Sequence, residues 1–145
     1  MICWLQEEAG EGEFNSAIFH NEDGDELAVY ANSENPDFMD CAEKCVESFN
    51  YLSESVTNEI CRNIIDCAKE GGLDEDFELP ALDSALDILN YCWFTALYVD
   101  MGSIDDEVAY VVEGEGEWGE AIGFYINKDR VVYVGVDYFD YMKNS

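Results

Sequence analysis

Between residues 38 and 67 an apolar side chain recurs every three or four positions: Phe38, Ala42, Cys45, Phe49, Leu52, Val56, Ile60, Ile64 and Cys67. The spacing averages close to 3.6, the period of an amphipathic α-helix that must bury one face. Asn35-Pro36 has the chemistry of a helix start, with Asp37 and Asp40 near the positive helix end. Lys69 and the pair Gly71-Gly72 suit its finish. One continuous helix satisfies this pattern. So do two helices broken near residues 51–55, where Ser53 or Ser55 could cap the second. The residues alone leave both open.

The segments on either side have a different period. Residues 4–8, 13–20 and 26–31 read as strands, the last two as a hairpin around the polar stretch 21–25. Residues 94–99, 108–113, 121–127 and 130–136 are rich in Val, Ile, Tyr and Phe, with Asn127-Lys128-Asp129 as a tight turn. Residues 80–91 suit a short helix with Leu82, Leu86 and Leu89 on one face. The expected fold is α+β: an N-terminal hairpin and a C-terminal four-stranded meander form an antiparallel sheet, with the helical region packed on one face. With 145 residues and no linker, repeat or low-complexity tract, one domain spanning 1–145 is expected.

Charge narrows the function. There are 34 acids against six bases, a formal net charge of −28. Residues 1–43 hold 12 acids and no base, and the stretch between Lys69 and Lys128 holds 15 more acids and again no base. Such a surface repels phosphate, which argues against direct binding to nucleic acid or anionic lipid. It speeds encounter with a positive partner. Disorder is not expected, because 48% of the residues are hydrophobic and 14% aromatic. The sequence shows neither a membrane-length apolar run nor a secretion signal, so a cytoplasmic location is expected.

Metal and catalytic readings are weaker. Cys41, Cys45, Cys61 and Cys67 could supply four thiolates to zinc, but no CxxC pair is present. On a continuous helix Cys45 and Cys67 would stand about 33 Å apart. Buried apolar thiols are the simpler expectation, and no cofactor or metal is assigned. The sole histidine, His20, ends a predicted strand beside an acidic turn, a poor setting for activating a cysteine or serine. The clusters 22–26, 74–76 and 105–107 lack the ligand spacing of a calcium loop and read as solvated turns.

The most distinctive segment is Glu113-Gly114-Glu115-Gly116-Glu117-Trp118-Gly119-Glu120. Alternating glycine and glutamate predicts a mobile hairpin loop that presents an exposed tryptophan among carboxylates. Tryptophan is a favoured interface anchor, and the acids suit lysine or arginine. The alternative is a ring folded back onto the sheet. The candidate partner-binding residues are therefore Trp118, Glu115, Glu117 and Glu120, with Asp23 and Asp25 beside them.

At this segment the chain resembles a family of small uncharacterised bacterial proteins. The resemblance covers residues 36–142 and rests on GEGEWGEAIGFYI, VVYVGVDYFD and the preceding DILNY. Some members sit near polymorphic toxins, like immunity proteins. Members often carry a histidine after a Trp-Glu step, where this chain has Gly119-Glu120. The resemblance brings no established activity with it. The expectation is a neutralising binding protein, an immunity-type inhibitor or a DNA mimic, whose partner is a basic toxin, nuclease or DNA-binding protein. The rival readings are a small enzyme using carboxylates or a divalent metal, and a housekeeping domain whose charge serves solubility.

Overall fold

The computed structural model describes residues 2–16, 18–21, 24, 26–34, 36–70, 81–100 and 108–141. Among these, seven strands form one sheet in chain order: β1 (Cys3–Gln6), β2 (Glu11–Asn15), β3 (Glu26–Tyr30), β4 (Cys92–Val99), β5 (Ala109–Gly116), β6 (Ala121–Asn127) and β7 (Arg130–Gly135). Every neighbouring pair is antiparallel except β3 and β4, which run parallel with Ala28 opposite Ala96 and Tyr30 opposite Tyr98. The parallel pair has a topological cause. The chain leaves β3, crosses one sheet face through α1 (Phe38–Asn50) and α2 (Glu54–Glu70), and re-enters beside β3 in the same direction. The expected hairpin and four-stranded meander are thus parts of a single α+β sheet, with the N-terminal part a three-stranded meander.

The helical stretch is two helices. Tyr51 N–H bonds back to Glu47 and Ser48 carbonyls and closes α1. Ser53 then caps α2: its Oγ accepts from Val56 N–H at 3.2 Å and its carbonyl from Thr57 N–H at 2.9 Å. The break needs neither proline nor glycine, and Leu52 stays buried across it. It also turns the second helix. The buried side of α2 is Thr57, Ile60, Cys61, Ile64 and Ala68, while Val56 and Cys67 are half-exposed. Cys61, expected off the stripe, is in the core.

Two further expectations are corrected. The second strand ends at Asn15 rather than running to His20, because Phe19 leaves the ladder to enter the core. There it stacks on Phe49 with centroids 5.2 Å apart and meets Phe94 edge-on at 5.3 Å. The expected helix at residues 80–91 is a 3₁₀ segment, Ala85–Asn90, started by a Ser84–Asp87 capping box. Three residues per turn replace 3.6, so Ala85, Ile88 and Tyr91 share the inner side. Leu86 is consequently 40% exposed.

The main core lies between sheet and helices. Phe14, Leu27, Val29, Phe94, Leu97, Tyr110, Val112, Ile122, Phe124 and Ile126 face Phe49, Ile60 and Ile64. Among the described residues no helix is long and apolar enough to cross a membrane. The far side of the sheet carries no helix from α1 or α2. It bears a smaller cluster of Ala109, Val111, Tyr125 and Tyr138, the last from a 3₁₀ turn at Tyr138–Tyr141.

Candidate partner-binding face

The Gly-Glu segment is a tied turn. Gly116 N–H donates to Glu120 carbonyl at 3.0 Å, Gly119 N–H to Gly116 carbonyl at 3.1 Å, and Glu117 N–H to Tyr91 carbonyl at 2.8 Å. Gly119 takes φ +91°, a conformation that favours glycine. The expected exposed tryptophan is corrected: Trp118 is 1% exposed and joins the main core. A Cβ on Gly116 would meet its ring at 2.4 Å, so the bare glycine is what admits the indole. Burying so large an apolar ring outweighs leaving it in water among carboxylates. Glu115 and Glu117 are exposed and Glu120 partly so. All three acids therefore lie at one end of the β5–β6 hairpin, Glu115 on the side of the sheet away from the helices and Glu120 within electrostatic reach of Cys67 on α2, with Trp118 anchoring the turn between them. Asp23 and Asp25 lie outside the described residues.

A second group, not singled out from sequence, stands on the open side of the sheet. Strand alternation puts Glu113 and Glu115 of β5 on this side with Tyr98 of β4 and Tyr125 of β6. Tyr98 OH donates to Glu113 Oε1 at 3.4 Å and Tyr138 OH to Glu113 Oε2 at 3.3 Å. Burial, then the Glu113 carboxylate, pushes the Tyr98 phenol up to about 12 and raises Tyr138 as well. Both phenols therefore stay protonated and donating. Tyr125 OH donates to Asp100 on the same side. Gly123 makes room for Tyr138, since a Cβ there would meet its ring at 2.5 Å. Tyr98 also stacks on Tyr30 at 5.1 Å and meets Phe139 edge-on at 4.9 Å.

Toward β2 the same side continues with Glu11, Glu13 and Glu26. A hydrogen bond to the Glu26 side chain, with some desolvation and the Glu26 charge, raises the Glu13 carboxyl above its ordinary range. Part of the signal was available from sequence: Glu26 and Tyr30 on β3, Tyr98 on β4, and Glu113 and Glu115 on β5 stand next to core residues in the strand order. Their convergence depends on register across strands distant in the chain.

The remaining candidates form no site. Cys45, Cys61 and Cys92 are buried, Cys92 within electrostatic reach of Cys61 and Cys45 of Cys41, and desolvation first of all pushes their thiols up to about 12, 11 and 12. Cys45 and Cys92 donate weakly to the carbonyls of Ala109 and Ile88, each at 3.5 Å. Among the described residues no three His, Cys, Asp or Glu side chains are grouped to hold a metal. His20 is half-buried with Nδ1 3.2 Å from Asn21 carbonyl. The clusters 74–76 and 105–107 lie outside the described residues. A groove of about 760 Å³ between α2 and residues 81–85 is lined by Arg62, Lys69, Ile65, Leu82 and Ser84, so two of the six bases face it.

Comparison with curated proteins and with solved structures gives no match. Over residues 3–141 the chain matches a domain of unknown function, DUF6985, and it belongs to that family.

Proposed function

We propose that this chain is a binding module that captures a basic protein in the cytoplasm and neutralises it. It would act as an immunity-type inhibitor of a toxin or nuclease, or as a DNA mimic on a DNA-binding protein. One observation carries the reading: the turn that bears Glu115, Glu117 and Glu120 at the end of a hairpin has its backbone fixed by three hydrogen bonds and a buried indole. A turn whose backbone is already fixed has no loop to order when its carboxylates meet lysine or arginine, which favours binding. The overall charge of −28 adds long-range attraction.

The test is capture from native lysate by the tagged chain, washed at low and high salt and identified by mass spectrometry. One basic protein should be retained at low salt, and Glu115→Lys with Glu117→Lys should release it. Glu59→Lys, on the exposed side of α2, should not. Equal loss from both reversals would reduce the effect to bulk charge and remove the case for a specific module.

A further inference from the structure

The bases are unevenly placed. Strands β1 to β6 contain none. Lys44 lies on α1, Arg62 and Lys69 on α2, and Lys128 and Arg130 at the β6–β7 turn, while the sixth base, Lys143, is outside the described residues. The open side of β2 to β5 therefore presents Glu11, Glu13, Glu26, Glu113 and Glu115 with no base from its own strands. Between these acids stand half-exposed aromatic rings: Tyr30, Tyr98 and, opposite Glu115, Trp93. Phe139 at the margin is 43% exposed.

Two features go beyond simple acidity. Glu13 and Glu26 are held within hydrogen-bonding reach on neighbouring strands, an arrangement of like charges that disfavours folding on its own. Glu113 is oriented by two phenol donors, which leaves its remaining lone pairs directed rather than free to rotate. A flat cation that accepts carboxylates at its edge and an aromatic plane on its face would satisfy all of these groups together. Guanidinium has that shape, whereas an ammonium offers only a point charge.

Building on the binding role proposed above, we infer that the open side of β2–β5 is the docking surface for an arginine-bearing segment of the protein partner. Arginine forks pair with Glu113, Glu115 and the Glu13–Glu26 pair. Their planes lie on Trp93 and on the outer face of Tyr30 in the stacked Tyr30–Tyr98 pair.

The full chain, isotopically labelled, is titrated at physiological salt with a short peptide alternating arginine and glycine, and with its lysine counterpart. Amide shift changes should concentrate in β3, β4 and β5, and the arginine peptide should bind about threefold tighter or more. Glu113→Gln and Glu115→Gln should each weaken it about fivefold, while Glu59→Gln, losing the same charge on α2, should cost less than about twofold. Glu115 is exposed, so its variant keeps the test open should Glu113→Gln disturb the fold. Shifts spread over α1 and α2, or Glu59→Gln weakening as much as the face variants, would overturn the docking surface and leave acidic capture standing. Binding of neither peptide, even at low salt, would sink both.

Discussion

Trp118 and Gly116 form a matched pair: the ring occupies the space that a side chain at 116 would need. Trp118→Ala should lower unfolding free energy by about 3–5 kcal/mol, the usual loss for a large buried aromatic, read from urea denaturation. Loss of partner capture in that variant would then reflect the fold, which is why charge reversal at Glu117 is the cleaner probe. The buried thiols give a second prediction. Cys45, Cys61 and Cys92 have folded values near 12, 11 and 12 against an ordinary value of 9.0. Folded values raised above unfolded ones mean that the native state holds these protons more tightly. Their contribution is fully present below pH 9 and drains as pH rises toward 12. Tyr98 and Tyr138, also raised, act in the same direction. The urea midpoint should therefore fall steadily above about pH 9, and a midpoint flat to about pH 11 would contradict the burial of these groups.

At the scale of elements, the 3₁₀ segment separates two leucine-like positions that an α-helix would treat alike. Ile88→Ala should cost about 2–5 kcal/mol and Leu86→Ala less than about 0.5 kcal/mol, both by denaturant titration. Ser53→Ala should cost about 1 kcal/mol through loss of the α2 cap. These cases show where sequence is readable. The apolar stripe revealed the helical region because period 3.6 is written into side-chain order. The break at residues 51–53 left that period unchanged, so only the Ser53 hydrogen bonds disclose it. Leu82, Leu86 and Leu89 fitted an α-helix equally well because a six-residue segment is too short to distinguish 3.0 from 3.6 residues per turn. The β6–β7 turn was legible locally, and both Lys128 and Asp129 take positive φ there. Parallel pairing of β3 with β4 was not, since it depends on where the 61-residue excursion from Ala31 to Tyr91 returns. The candidate site divides in the same way. Exposed Glu115 and Glu117 follow from composition, whereas the Glu113 cluster needs β4, β5 and the C-terminal turn to meet.

The whole molecule carries the charge, and that charge acts on folding and binding with opposite sign. At −28 the folded chain concentrates carboxylates that the unfolded chain could spread apart, so self-repulsion opposes compaction. Raising ionic strength shortens the screening length from about 30 Å at 0.01 M to about 8 Å at 0.15 M. Repulsion between distant acids fades first, and close pairs such as Glu13 and Glu26 are screened least. The melting temperature should therefore rise by about 3–6 °C over that range, equivalent to roughly 1–2 kcal/mol for a chain of this size. Attraction to a basic partner runs through the same field and should weaken over the same salt series. Thermal scans and binding isotherms in matched buffers read both effects. Stability that rises while affinity falls identifies the acids as a shared reservoir, stored against folding and released on capture. A melting temperature indifferent to salt would mean that the carboxylates are spaced widely enough to be silent in the free protein. Binding would then have to draw on the few close groups around Glu113 and Glu13 rather than on the total charge.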